Sequence, residues 1–228
     1  MQTSASVFSI SPVLVWFRND LRLHDHEALT AALQDNAPAL LVYCIDPRQF
    51  ATITPGVPKT GAFRARFLLE SLADLRASCR ALGGDLVVRV GEPEQVLPAL
   101  AATVGANRVY FHLDVAPEER AVERAVRQAL KATGVGVRLF STHTLVHGDD
   151  LPFDVAALPD TFSQYRSRVE RRVDVRAPHP APTALPACLI DPGELPSILS
   201  LGLTDPRPTS STSTVHVRLS RRHESETA

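Results

Sequence analysis

The apolar residues of this chain fall into five short runs, and each gap between them carries helical spacing. The runs are 13–17 (VLVWF), 39–45 (ALLVYCI), 85–90 (DLVVRV), 108–112 (RVYFH) and 137–140 (VRLF). Each is of strand length and nearly continuous in its apolar residues, as expected of strands buried on both faces. The gaps predict four helices: 27–34 with Leu29 and Leu33 on one face, 62–82 with Phe63, Phe67, Leu68, Leu72 and Leu75, 93–104 with Val96, Leu97 and Leu100, and 117–131 with Val122, Ala125, Val126 and Ala129 facing inward. Thr60 is placed to cap the second helix and Gly83-Gly84 to stop it, while Pro93 and Pro117 open the third and fourth.

Strict alternation of strand and helix predicts an α/β fold, a doubly wound Rossmann-like five-stranded parallel sheet spanning 12–142. Ligands of such sheets bind beyond the carboxyl ends of the strands, near the point where strand order reverses. The segments to watch are therefore 18–22, 46–48 and 113–119. After Phe140 the rhythm stops. One amphipathic linker helix is expected at 160–172, with Phe162, Tyr165 and Val169 on one face. Eight prolines between 175 and 208 make the rest of the 143–208 linker an extended, surface-running, Pro-rich tail. Residues 209–228 are Ser/Thr-rich and then charged, and read as disordered.

A formal net charge of −1 on 228 residues argues against strong nonspecific nucleic-acid binding, which needs clustered Lys and Arg. The basic stretch 166–176 is interrupted by Glu170 and Asp174 and reads as a solvated face. Cys44, Cys79 and Cys188 are far apart and form no CxxC, so a disulfide framework and a zinc site are both unsupported and a reducing, cytoplasmic setting is expected. The first twelve residues have no basic head before an apolar core, so no secretory signal is expected, and no run approaches the ~20 apolar residues of a membrane span.

The first strand leads into Arg18-Asn19-Asp20-Leu21-Arg22 rather than a glycine-rich phosphate loop, and neither GxGxxG, GxxxxGK[ST] nor a Gly-x-Ser-x-Gly elbow is present. Two arginines around Asp20 read as an internal ion-pair lock for the turn. His24, Asp25 and His26 are adjacent and point in different directions, so a shared metal is not expected; Asp25 reads as the helix N-cap. His143 and His147, with Asp149 and Asp150, read as satisfied loop histidines. Asp114 precedes the fourth helix at the predicted ligand edge and is the leading candidate contact. Glu118 and Glu119 are explained by the helix dipole, and Glu118 is retained as a second candidate.

WFRNDLRLHDHEAL resembles the opening of the photolyase/cryptochrome family. YCIDPRQF, PKTGAFRARFLLESLADLRASCRALGGDLVVRVGEPEQVLPAL and HTLVHGDDLPFDVAALPDTFSQYRSRVE resemble its cryptochrome-DASH branch, so the resemblance runs from about residue 12 to about residue 205. It implies an N-terminal α/β antenna domain that helps to hold a methenyl-tetrahydrofolate chromophore. A large helical domain follows in the family, binding FAD, carrying the electron-transfer tryptophans and holding the DNA lesion.

Two departures follow. The helical domain is not recognised here and Trp16 is the one tryptophan, so the chain is expected to be a truncated relative that holds no FAD and does not repair DNA by itself. A separate helical flavin-binding partner, or a second copy, would cover the interdomain face. The family's antenna glutamate at the end of strand four is matched by Asp114, one methylene shorter, so folate binding is expected to be weak or lost. The alternative from another class is a noncatalytic Rossmann-like nucleotide-binding or interaction module.

Overall fold

A computed structural model describes residues 11–206 apart from 36 and 142. The predicted tail 209–228 and the first ten residues lie outside the described part. The elements run β1 (Val13–Phe17), α1 (Glu27–Gln34), β2 (Ala39–Ile45), β3 (Thr52–Thr54), β4 (Val57–Pro58), α2 (Ala62–Ala81), β5 (Leu86–Val90), α3 (Pro93–Val104), β6 (Arg108–His112), α4 (Pro117–Ala132), β7 (Gly136–Phe140) and α5 (Phe162–Val169). The five runs form one parallel sheet in the order β5-β2-β1-β6-β7. This is the doubly wound arrangement: from β1 the chain winds outward to β2 and β5, then returns past β1 to β6 and β7.

Alternation along the strands divides the core in two. Val13, Val15 and Phe17 point to one face with Leu41 and Tyr43, under α1 and the Leu72, Leu75 and Cys79 side of α2. Leu14 and Trp16 point to the other with Val42 and Val87, under Leu97 and Leu100 of α3 and Val126 and Leu130 of α4. At about 25 cal/mol per Å² of apolar area, each fully buried Leu or Val contributes roughly 1.5–3 kcal/mol, so these two layers carry most of the stability.

Three local expectations are corrected and one element is added. The polar connection after β2 contains a small antiparallel hairpin, β3 with β4. Thr60 does not cap α2; the N-cap is Gly61, without a side-chain bond, and Thr60 is buried instead. The apolar stripe of α2 is only half used: Phe63 and Phe67 are 70% and 71% exposed. A 20-residue helix is about 30 Å long and a five-residue strand about 17 Å, so the first turns of α2 overhang the carboxyl end of the sheet. The linker helix is two turns, Phe162–Val169, with Phe162 exposed and Val169 buried. The basic stretch there is locally paired, Arg166 with Glu170 and Arg176 with Asp150.

The Pro-rich segment runs over the surface as expected, and it is fastened. Leu185 is buried, and its N–H donates to the Leu82 carbonyl. The Pro192 carbonyl accepts from the Val88 N–H of β5 and from the guanidinium groups of Arg76 and Arg89. Gly193 turns here with φ +73°, where an added Cβ would lie 2.5 Å from Arg89 and 2.7 Å from the Val88 carbonyl. Among the described residues, no helix is long and apolar enough to cross a membrane.

Candidate functional site

The sheet reverses its winding between β1 and β6, and the loops leaving these strands should part there to admit a ligand. In this chain the gap is filled from within. Asp20 Oδ1 accepts the Arg18 backbone N–H at 2.7 Å. Its Oδ2 accepts from Nδ1 of His112 at the end of β6 and lies 3.1 Å from Nε2 of His26. All three side chains are buried.

The expected Arg–Asp–Arg lock is therefore replaced by a His–Asp–His cluster. Asp20 is turned out of water, and a buried carboxylate needs fixed donors, which the His112 ring and the Arg18 backbone N–H supply, with the His26 ring close by. Arg18 instead donates to the carbonyls of His112 and Glu119, both at 3.1 Å, with its guanidinium 4.8 Å over the Trp16 ring. Arg22 donates to the Asp25 carbonyl. The N-cap of α1 is likewise not Asp25 but His26, whose Nδ1 accepts from the Leu29 N–H at 3.1 Å. Asp25 sits at φ +47°, outside the extended geometry a cap requires.

Burial alone would raise the Asp20 carboxyl, but the hydrogen bonds from His112 and His26 outweigh it and hold it well below the usual carboxylate range. Burial pushes the His26 imidazole down, against the pull of Asp20. Both effects favour ionised Asp20 beside neutral His26.

Asp20, His26 and His112 also present three donor atoms within 4.8 Å of one another, the one such grouping among the described residues. The hydrogen bonds assign it differently. His26 Nδ1 accepts from Leu29, and His112 Nε2 accepts from the Ala28 N–H at 3.5 Å. Each ring then carries its proton on the nitrogen facing Asp20, where a metal would need a bare lone pair. His24 is exposed and outside the cluster.

Asp114 stands just beyond. Its Oδ2 accepts from Asn19 Nδ2 at 2.8 Å, Arg18 lies 3.9 Å away, and His143 Nε2 is 3.9 Å from Oδ1. Its side chain is 11% exposed. His147 caps the short 3-10 turn Gly148–Asp150, accepting from the Asp149 N–H.

Open space lies beside this filled gap, over the ends of β1 and β2 and under the overhang of α2. Two adjoining clefts of about 420 and 460 Å³ share Arg18, Asn19, Tyr43, Gln49, Thr60 and Arg64. Phe67 and Leu68 of α2 close the first. Trp16, Asp46, Arg48 and Glu118 line the second, and Lys59 pairs with Glu118 across it. Glu118 thus reaches a cleft, whereas Asp114 lines neither and stands behind Asn19.

Asn19, Tyr43, Gln49, Thr60 and Arg64 were not individually legible as cleft residues. Three of them come from the connection between β2 and α2 and from the overhanging start of α2. The sequence signal available was a Lys-Thr-Gly step followed by a helix longer than the strands it must cover.

The comparisons with known proteins agree with this fold. A family model described as DNA photolyase matches residues 13–186. Cryptochrome DASH of Gloeobacter violaceus is 52% identical over 199 residues, covering 87% of this chain and 40% of that protein. Blue-light photoreceptor PHR2 of Arabidopsis thaliana is 42% identical over 202 residues, covering 87% and 45%. The crystal structure of a Synechocystis cryptochrome superposes with a TM-score of 0.75 at 42% identity, covering 78% of this chain and 38% of that one. The chain spans about two fifths of the length of these relatives.

Proposed function

The chain belongs to the DNA photolyase family, and from that premise we propose that it serves as a light-harvesting domain of the cryptochrome-DASH type. It binds a folate-type antenna chromophore, methenyl-tetrahydrofolate, in the clefts at the carboxyl ends of β1 and β2. One observation carries the reading. These clefts have the size of small-molecule sites, about 300–1,000 Å³, and combine aromatic walls (Tyr43, Phe67) with an arginine (Arg64) and an exposed amide (Asn19). That lining suits a planar heterocycle with an anionic tail. Asp114 and Glu118 frame it, one behind Asn19 and one on the cleft wall.

When bound, the chromophore supplies absorption of violet light and passes on the excitation. The residues of this chain bind it and shield it from water. No FAD site is assigned to them. The acceptor flavin, and with it any DNA repair, belongs to a helical partner. That partner docks on the overhang of α2, where Phe63 and Phe67 are exposed on one face. The setting is cytoplasmic, without strong nucleic-acid binding.

The same two phenylalanines favour a second reading, a noncatalytic interaction module whose α2 face docks a second copy. Absorption spectra of the purified chain, with and without methenyl-tetrahydrofolate, separate the two. A bound violet band, weakened in Asp114→Ala, is the expected result. A chain folded by circular dichroism but colourless at saturating folate overturns the antenna reading, and concentration-dependent dimerisation in sedimentation would then support the second.

A further inference from the structure

We propose that Asn19, rather than Asp114, is the side chain that meets the ligand, and that Asp114 is a positioning residue acting through it. This rests on the chromophore-binding reading above. Asn19 is exposed and lines both clefts, while Asp114 lines neither. The 2.8 Å contact runs from Asn19 Nδ2 to Asp114 Oδ2. A carboxylate oxygen accepts hydrogen bonds, so it dictates which way the planar amide is turned: the NH₂ faces Asp114. The Asn19 carbonyl Oδ1, which accepts no hydrogen bond among the described residues, is then the group left for the cleft.

The rest of the arrangement holds this amide in place. Asp114 is steadied by the Val115 N–H at 3.2 Å on Oδ1, with Arg18 and His143 each 3.9 Å from the carboxylate. The backbone on the other side is fixed by Asp20, the residue after Asn19, through its bonds to Arg18 N–H and His112. A short acid suits this role. Asp114 reaches Asn19 from behind, whereas the glutamate implied by the family resemblance carries one more methylene. The ligand class follows from the acceptor. Asn19 selects a planar heterocycle that presents a ring-amide or amino N–H, as the pterin edge of methenyl-tetrahydrofolate does, over one with acceptors alone on that edge.

The test titrates methenyl-tetrahydrofolate against the full chain and against Asn19→Ala, Asp114→Ala, Asp114→Asn and the Asn19→Ala/Asp114→Ala double variant. The bound violet band gives affinity, and far-UV circular dichroism checks folding. Asn19→Ala should weaken binding about tenfold, the effect of one well-placed hydrogen bond. Asp114→Asn should stay within about threefold of wild type, because an amide oxygen in the same place still accepts from Asn19. The double variant should be no weaker than Asn19→Ala alone, as for two residues acting through one contact. An Asp114→Asn variant as weak as Asp114→Ala, or further loss on adding Asp114→Ala to Asn19→Ala, overturns the inference and leaves the antenna reading standing. No band with the wild-type chain overturns both. Should Asp114→Ala fail to fold, Asn19→Ala and Asp114→Asn still decide: normal binding by the first or collapse in the second overturns the inference.

Discussion

Asp20 and His112, 92 residues apart, share a hydrogen bond that ties the end of β1 to the end of β6 in a fully buried setting. His26 closes on the same carboxylate oxygen from the start of α1. The point where a doubly wound sheet ordinarily opens is here stapled shut, and the open clefts lie toward β2.

Replacing Asp20 should therefore cost far more than a surface acid. Asp20→Ala leaves the His112 imidazole N–H and the Arg18 N–H without their acceptor and removes the carboxylate that lies 3.1 Å from His26 Nε2. A loss of about 3–5 kcal/mol is expected, as for breaking a buried charged network from one side. Asp20→Asn keeps an acceptor but sets an NH₂ against donors, and should fall between that value and wild type. Urea unfolding followed by Trp16 fluorescence reads both, since Trp16 is the single tryptophan and is buried beside Arg18. A loss under about 1 kcal/mol for Asp20→Ala, the size of an ordinary exposed change, would contradict the staple.

The same cluster sets a direction for pH. Burial lowers the His26 imidazole in the folded chain, so the unfolded chain binds its proton first as pH falls. The contribution of His26 is complete above its unfolded value of about 6.5 and declines as pH drops below it. Asp20 is also held low when folded, by His112 and His26 acting against burial. Its contribution is complete above its unfolded value of about 3.9 and is lost below it. Unfolding free energy measured from pH 8 downward should start to fall near pH 6.5 and steepen below pH 4, by linkage. A flat profile between about pH 7 and pH 5 would show that His26 is not held neutral.

Thiol reactivity should divide the three cysteines. Burial pushes the Cys44 thiol up, beyond the reach of neutral pH, and pushes Cys79 up to about 12. Both are buried, whereas Cys188 is partly accessible. In the folded chain a disulfide reagent should modify one thiol, Cys188, and all three after denaturation, because the thiolate is the reacting form. Rapid modification of a Cys188→Ser variant under native conditions would show that the sheet opens around Cys44 or Cys79.

The sheet itself was legible because each of its strands is a nearly unbroken apolar run, and its helices because their apolar residues keep the helical period. Most element bounds follow within a residue or two. What was not legible depends on partners distant in sequence. Nothing local to Asp20 distinguishes a bond to Arg22, two residues on, from a bond to His112 on another strand. His26 displaced Asp25 as cap because the backbone turns through a positive φ at Asp25. The segments 18–22 and 46–48 do line the clefts, but the remaining walls, from β2, the start of α2 and α4, are brought together only by the assembled sheet. Asp114 stands just after β6, at the carboxyl end of the sheet, but lines neither cleft. That Asn19 stands in front of it is a matter of side-chain packing between two loops.

Gly193 is expected to be irreplaceable on two grounds. It holds φ +73°, and a Cβ there would collide with Arg89 and the Val88 carbonyl. Gly193→Ala should cost about 1–3 kcal/mol, the range for backbone strain at a left-handed position. Hydrogen exchange should show the loss concentrated at the Val88 amide, which the neighbouring Pro192 carbonyl holds. Uniform loss of protection across the sheet would show that the turn is not a local clasp.

The fastening of residues 185–193 along β5 bears on how molecules of this chain meet one another. An outer strand of a parallel sheet is a template on which a foreign strand can grow, and proteins that leave it bare tend to polymerise. Here the covering carries Pro186 and Pro192, which have no N–H to donate, so the guard is a poor template for a further strand. Protection of this edge is thus entrusted to a segment about a hundred residues beyond the strand it covers. A chain shortened to end before Leu185 would keep every strand and helix of the domain, yet would present β5 as a bare edge open to edge-to-edge association.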